Sequence, residues 1–178
     1  MARAVNHVLS EDAMITLKNI LVATDFGEPA DAALVYGRAL AKAFGARLHV
    51  LHVVEDAYAS AYASEMYVPP DPSVQAEINE AAQKRLDELV LDSDGSGPAV
   101  TTALRISNAP APAIVGYAND EGVDLIVIGT HGRKGIAHLL LGSVAERVVR
   151  TAPCPVLTVH SPERDFVRPD TLEVRAHA

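Results

Sequence analysis

Residues 129–143 have the composition and spacing of a phosphate-binding segment, because they read G-x2-G-x9-G-S directly after an apolar run. Glycine permits positive φ angles and lets the backbone come close to a ligand, and successive exposed amide groups form a concave site for anions. The pattern matches neither the Walker loop nor the dinucleotide fingerprint. It therefore predicts that backbone amides of this segment bind phosphate oxygens.

A helix predicted to begin near Ser143 adds a second anion-binding device, since the first amide groups of a helix are unpaired and carry partial positive charge. The same serine can instead form a capping box with Glu146, which would compete for the Ser143 amide. Arg133 and Lys134 either supply positive charge to the ligand or remain solvated surface side chains. The sequence leaves both alternatives open.

Alternating apolar strands and amphipathic helices must position this segment. Apolar or alternating runs predict five strands, at residues 19–24, 47–54, 99–106, 124–129 and 156–160. Helical periodicity predicts four helices, at about 29–44, around Ile78 to Leu89, from Pro110, and from Ser143. This βαβαβαβαβ order predicts an open parallel sheet with helices on both faces and a ligand site beyond the carboxyl ends of the strands.

Finer features of these elements are also predicted. The third strand alternates between apolar and polar residues, which predicts an edge strand. Gly45 and Gly122 are expected to end helices in the left-handed conformation. The inward face of the first helix is predicted to consist of Leu34, Gly37, Ala41 and Phe44. Residues 57–73 are predicted to form a long loop, either a functional lid or a mobile insertion.

Bulk composition limits the classes of function. The chain has 178 residues, 49% of them hydrophobic, and a formal net charge of -8. These values predict one globular domain and argue against nucleic acid or an anionic membrane as the partner. One cysteine, seven histidines without metal-ligand spacing, and a polar N-terminal stretch without a signal-peptide core predict a cytoplasmic protein.

The chain resembles the universal stress protein family in three stretches, ILVATDFG at 20–27, LHVLHVVED at 48–56 and DLIVIGTHGRKGIAHLLLGSVAERVVRTAPCPVLTV at 124–159. The resemblance covers residues 18–160 and leaves an N-terminal extension at 1–17 and a polar C-terminal tail at 161–178. It implies an adenine-nucleotide-binding fold, a five-stranded parallel sheet ordered 3-2-1-4-5. In that order the first and fourth strands are neighbours, so their carboxyl ends share one crevice.

The resemblance also implies a set of site residues. Asp25 is implied near the ribose, unless it only caps the first helix, and the backbone of Val53 is implied to pair with the adenine edge. The residues implied to surround the ribose and phosphates are Gly129, Thr130, His131, Gly132, Gly142, Ser143 and Val144. Mg²⁺ is implied at the triphosphate. Among these residues, His131 is also open to a packing role.

Three further positions are interpreted against the family pattern. Many relatives have glycine where this chain has Asn108, and asparagine tolerates the left-handed φ that glycine would adopt there. His138 and Cys154 are expected to be structural.

The function expected from the sequence is ATP binding by a stress-response regulator, with nucleotide occupancy coupled to conformation or partner choice. No nucleophile with a paired base is evident, and only Asp25 and His131 are candidates for catalytic groups. Slow ATP hydrolysis is one alternative, and a dimeric interaction protein without nucleotide is another. A homodimer is expected through strand 155–160, because an apolar edge strand is usually paired or covered.

Overall fold

The structure, a computed structural model, describes residues 15–62, 71–91, 97–130 and 141–160. Strands and helices alternate along these residues. The strands are β1 (Asn19–Thr24), β2 (Arg47–Val54), β3 (Val100–Ile106), β4 (Leu125–Gly129) and β5 (Val156–Val159). The helices are α1 (Glu28–Phe44), α2 (Ala57–Tyr62), α3 (Pro72–Leu91), α4 (Pro110–Asp120) and α5 (Ser143–Thr151).

The five strands form one parallel sheet in the order β3-β2-β1-β4-β5, which confirms the predicted fold class and strand order. The chain winds outward from β1 to β3, and then returns to place β4 on the other side of β1. Thr24 pairs with His52 on one side of β1, and Ala23 pairs with Ile128 on the other. The carboxyl ends of β1, β2 and β4 therefore lie side by side at the reversal of winding.

Two apolar layers cover the sheet because alternate strand residues point to opposite faces. One face packs against α1 and α3 and includes Ile20, Leu48 and Val127, all 0 or 1% exposed. The other face packs against α4 and α5 and includes Leu21 and Ile126. Helices on both faces explain why the central strands are largely apolar rather than strictly alternating.

Helix ends follow the predicted rules. Pro29 lies in the first turn of α1, and Gly45 ends the helix with a left-handed φ of 63°. Gly122 has a left-handed φ of 58° directly after α4. Both glycine predictions are confirmed, because a residue with a Cβ is strained in this conformation.

The predicted inward face of α1 is confirmed except at its end. Leu34, Gly37 and Ala41 are buried, whereas Phe44 is 43% exposed. Phe44 is the last residue of α1, where the chain turns at Gly45 toward β2, so the 3.6-residue period no longer determines its contacts. The prediction of an inward Phe44 was wrong for this reason.

The predicted loop at 57–73 is also corrected. Residues 57–62 form α2, and α3 begins at Pro72. The Asp56 carboxylate accepts hydrogen bonds from the amides of Tyr58 and Ala59 at 3.0 and 2.9 Å, which caps α2. Six residues are too few to display a helical period, so the pattern did not reveal this helix. Residues 63–70 lie outside the described part of the chain, and the lid alternative is therefore not tested.

The edge position of β3 is confirmed, since its one strand neighbour is β2. Thr101 and Arg105 are exposed as expected, but Ile106, at the end of the strand, is 48% exposed rather than inward-facing. Within the described ranges, no helix is long and apolar enough to cross a membrane.

Candidate functional site

The candidate site is the crevice between the ends of β1 and β4. Asp25 and Thr130 lie two residues beyond the paired residues Ala23 and Ile128, so the parallel register brings them to the same level of the sheet. The register therefore brings together two candidate residues that are separated by more than a hundred positions in sequence.

The turn after β1 holds Asp25 through local hydrogen bonds. Its Oδ1 accepts from the Gly27 amide at 3.0 Å, and the Thr24 hydroxyl oxygen accepts from the Phe26 amide at 2.9 Å. Gly27 is the N-cap residue of α1, so Asp25 lies two residues before the cap rather than at it. The alternative that Asp25 caps the helix is thus realised only indirectly, through the amide of the cap residue.

Phe26 is fixed in a left-handed conformation, with φ of 62°, in the middle of this turn. Its ring lies 4.4 Å from the His52 ring, and the Arg85 guanidinium carbon lies 4.2 Å from the centre of the Phe26 ring. His52 also donates from Nδ1 to the Thr24 carbonyl at 2.7 Å. These contacts offset the strain of the positive φ and hold the turn that presents Asp25.

Sequence reasoning missed the supporting roles of Phe26, His52 and Arg85. The first two lie in the stretches that carry the family resemblance, but nothing in their spacing indicates that they contact each other. Arg85 comes from α3, so its part in the turn depends entirely on the packing of that helix.

Val53 lies one residue beyond the last residue of β2 that pairs with β1. The Leu48 amide donates to Ala99 and the Val54 carbonyl accepts from Ser107, so even-numbered residues of β2 direct their backbone groups toward β3. The backbone groups of Val53 therefore point the other way, toward the end of β1 and the crevice. Its side chain is half-buried against the α4 and α5 layer.

Gly129 has a structural reason to be glycine. A Cβ built on it would lie 2.7 Å from the carbonyl oxygen of Pro29, so α1 can approach β4 closely only because this side chain is absent. Among the described glycines, the positive φ angles occur at Gly45 and Gly122 and not at Gly129 or Gly142. The positive φ that glycine permits is therefore not used at these two positions of the segment.

Thr130 connects the end of β4 to the start of α5 and to β5. Its carbonyl accepts from the Gly142 amide at 2.6 Å, and its amide donates to the Val159 carbonyl at 2.8 Å. Its hydroxyl lies 3.1 Å from Nδ1 of His160, and Thr130 is only 6% exposed. The Thr130 side chain faces β5, and the Thr130 carbonyl joins the end of β4 to the start of α5.

The N-terminus of α5 lies directly after this connection. Gly142 has the extended backbone of an N-cap residue, with φ of -70° and ψ of 154°, and Ser143 is the first helical residue. Because the N-cap is glycine, the predicted capping box between Ser143 and Glu146 is not formed, and the Glu146 amide donates to the Gly142 carbonyl. The amides at the start of a helix have no partner within it, so those of Ser143 and Val144 form a donor set beside the crevice.

The remaining predicted residues of the segment cannot be placed. His131, Gly132, Arg133, Lys134 and His138 lie outside the described residues. Their roles remain predictions from sequence.

Asn108 does not adopt the left-handed conformation that the sequence comparison suggested for it. Its Oδ1 accepts from the Asp56 amide at 2.7 Å, and its Nδ2 donates to the Asp56 carbonyl at 3.3 Å. The Asn108 side chain therefore connects two loops, a role that its φ preference did not predict.

Three titratable groups, His49, Tyr117 and Cys154, lie in the layer behind the crevice. Burial lowers the pKa of His49, whose Nδ1 lies 2.9 Å from the Tyr117 hydroxyl, and it raises the pKa of Tyr117. Burial also raises the pKa of the half-buried Cys154 thiol, which keeps it protonated and poorly nucleophilic. This agrees with the structural role expected for Cys154.

Comparison with known proteins gives a consistent identification. The model of the universal stress protein family matches residues 16–160. A universal stress protein of Thermus aquaticus is 36% identical over 142 residues, which cover 80% of this chain and 98% of that protein. The solved structure of protein MJ0577, a universal stress protein of Methanocaldococcus jannaschii, has a TM-score of 0.68 at 29% identity and covers 84% of this chain and 100% of that one.

A further solved structure is that of a universal stress protein in complex with cAMP. It has a TM-score of 0.53 at 25% identity, and the match covers 82% of this chain and 98% of that one. The match of the family model over most of the chain, together with these relatives and the strand order of the sheet, shows that this chain belongs to the universal stress protein family.

Proposed function

We propose that this protein binds an adenine nucleotide, ATP by preference, in the crevice between β1 and β4. The observation that carries the proposal is that the strand register brings Asp25 and the backbone of Val53 to one edge of the sheet, where the hydrogen bond from the Gly142 amide to the Thr130 carbonyl also holds the N-terminus of α5. A ligand at the winding reversal of a doubly wound sheet meets all three.

Each group has a chemical role in this proposal. The amides at the start of α5 donate to phosphate oxygens. The hydrogen bond from the Gly142 amide to the Thr130 carbonyl supports the backbone around them. The Asp25 carboxylate accepts from a ribose hydroxyl. The backbone of Val53 pairs with the donor and acceptor on the edge of adenine. The complex of a related protein with cAMP supports an adenine nucleotide as the class of ligand.

Mg²⁺ would be held mainly by the phosphates. The described residues contain no group of three or more His, Cys, Asp or Glu side chains that could hold a metal ion. Mg²⁺ is commonly bound by one or two carboxylates together with substrate phosphates, and Asp25 is a carboxylate at this crevice.

We further propose that nucleotide occupancy regulates conformation or partner choice in a stress response, and that the protein acts in the cytoplasm.

Homodimerisation through strand 155–160 is part of this proposal. β5 is an edge strand of four residues, of which the first three have half-buried side chains, and pairing of two copies would satisfy its outer backbone groups. Light scattering that shows only monomer would refute the dimer.

The decisive test is the ligand itself. Mass spectrometry of material released from purified, denatured protein is expected to show an adenine nucleotide, and calorimetry of emptied protein is expected to show ATP binding. Protein that is purified empty and fails to bind ATP would refute the proposal. It would favour the alternative, a dimeric interaction protein of the same fold without nucleotide.

Slow ATP hydrolysis remains the enzymatic alternative, because Asp25 lies at the proposed nucleotide site. Time-resolved measurement of ADP release distinguishes a slow ATPase from a binding protein. Turnover that survives replacement of both Asp25 and His131 would reject these residues as its catalytic groups.

A further inference from the structure

The chain just beyond Val53 is held by side chains from two distant segments. The Asn108 amide bonds both the amide and the carbonyl of Asp56, at 2.7 and 3.3 Å. Gln75 accepts from the Ala57 amide at 2.9 Å and donates to the Glu55 carbonyl at 3.3 Å. Three consecutive residues, 55–57, are therefore fixed by hydrogen bonds from the β3–α4 turn and from α3.

This arrangement, which we call the 55–57 clamp, continues the pairing of β2 with β3 beyond the end of the strand. The Ser107 amide donates to the Val54 carbonyl at 2.8 Å, and Asn108 then makes its two bonds to Asp56. Gln75 is itself oriented by a hydrogen bond from its Nε2 to Asn79 on the next turn of α3, at 3.0 Å. The backbone after Val53 thus has little freedom to rotate.

We infer that Asn108 and Gln75 are positioning residues that set the selectivity of the site for adenine over guanine. The inference rests on the proposed function, in which the Val53 backbone pairs with the base. Adenine presents an amino donor where guanine presents a carbonyl acceptor. A backbone held in one orientation pairs with adenine, whereas its carbonyl acceptor would face the carbonyl acceptor of guanine. A loosened backbone can rotate and pair with either base.

The test is the ratio of affinities for ATP and GTP, measured by calorimetry on the full-length protein and on Asn108→Ala. Alanine removes the amide without adding the backbone freedom of glycine. We expect ATP to bind about tenfold more weakly, which is the effect of one or two lost hydrogen bonds, and the preference for ATP over GTP to fall by about threefold or more. Gln75→Ala should have the same direction of effect.

Two variants sharpen the measurement. Asn108→Asp keeps an oxygen that can accept from the Asp56 amide but loses the donor to the Asp56 carbonyl, so its selectivity should lie between wild type and Asn108→Ala. Asn119→Ala is the matched control, because Asn119 is an exposed asparagine whose side chain bonds the Val115 carbonyl within α4. It should leave both affinities unchanged.

The ratio separates positioning from simple loss of folded protein. A smaller population of the competent state weakens ATP and GTP by the same factor, so an equal loss for both nucleotides, with a lowered melting temperature, would overturn the inference. Unchanged ATP and GTP affinities in Asn108→Ala would overturn it as well. If the wild-type protein binds neither nucleotide, the proposed function fails first and the inference falls with it.

Amide hydrogen exchange provides a readout that needs no ligand. The Asp56 amide should lose protection in Asn108→Ala, and the Ala57 amide should lose it in Gln75→Ala, while both retain it in Asn119→Ala. Equal protection of Asp56 in wild type and Asn108→Ala would show that the amide does not restrain this backbone, and would overturn the inference.

Discussion

The two sides of the crevice are built differently. On the side proposed for the phosphates, the Gly142 amide donates to the Thr130 carbonyl, and α5 begins at the next residue, Ser143. On the base side, residues 55–57 are held by side chains from α3 and from the turn before α4. Under the proposed function, anion binding would depend on local backbone geometry, whereas recognition of the base would depend on packing between distant segments.

The same contrast exists within residues 129–143, where two glycines are expected to have different roles. Gly129 allows α1 to pack on β4, and Gly132 is predicted from sequence to allow the phosphates to approach. Substitution at each position can therefore separate folding from binding.

The largest effect is expected for Gly132→Val. A β-branched residue resists positive φ and blocks the approach of phosphate, so ATP binding should weaken by at least about a hundredfold, equivalent to about 2.7 kcal/mol. The melting temperature should stay close to that of wild type. Calorimetry and thermal unfolding measure the two quantities, and retained affinity in the variant would contradict a role of Gly132 at the phosphates.

Gly129→Ala should instead lower the stability of the fold, by about 2 kcal/mol, because the new Cβ would lie 2.7 Å from the Pro29 carbonyl oxygen. Urea unfolding measures this change. Gly116→Ala is the matched control: Gly116 lies inside α4, a Cβ there would meet nothing within 4 Å, and alanine should stabilise by up to about 1 kcal/mol. Equal effects of the two substitutions would contradict the packing role of Gly129.

The layer behind the crevice should make stability depend on pH through His49. Because burial holds its folded-state pKa below the 6.5 of the unfolded chain, folding favours the neutral ring. The stability linked to His49 is fully present above pH 6.5 and is lost as the pH falls from 6.5 through the lower folded pKa. Glu121 opposes this shift and Arg47 adds to it.

Urea unfolding between pH 7.5 and 5.5 tests this dependence. For one proton the slope is at most about 1.4 kcal/mol per pH unit, and His49→Gln, which cannot titrate, should have a flatter profile than wild type. Parallel profiles for the two proteins would exclude His49 as the source. Any pH dependence of stability that remains in both proteins would then come from other titratable groups.

The smallest effect is expected for Thr130→Val, which removes the hydroxyl that lies beside His160 but keeps the backbone hydrogen bonds of this residue. A loss of about 1 kcal/mol in stability is expected, with ATP affinity nearly unchanged. The matched control is Thr151→Val, whose exposed hydroxyl bonds the Arg147 carbonyl within α5 and should contribute little. A large loss of affinity in Thr130→Val would show that its hydroxyl contacts the ligand.

Much of the scaffold could be predicted from residue patterns. The bounds of β1 and β2 and the left-handed ends at Gly45 and Gly122 agree with the structure, because apolar runs and glycine conformations are local properties. The strand order came from the family resemblance. The errors occurred where local pattern is weak: α2 is too short to display a period, and Phe44 lies at a helix end.

The candidate site was predictable to a lesser extent. The helix start at residues 142–143 could be identified from the chain, but the sequence left open a capping box at Ser143, which the N-cap position of Gly142 rules out. Asn108 was interpreted through its φ preference alone, while its function in the structure comes from a partner 52 residues away. Side chains that act across such a separation leave no periodic signal.

The sequence by itself determined the alternation of strands and helices, the position of the helix start that is proposed to bind phosphate, and membership of the universal stress protein family. Only the tertiary structure decided why Gly129 must lack a side chain, how Phe26 keeps its strained turn, and which residues hold the chain beyond Val53. The physical reason is the separation in sequence over which each kind of interaction acts. Backbone propensity and apolar periodicity act over a few residues, whereas these contacts join groups that become neighbours only when the sheet and its helices pack.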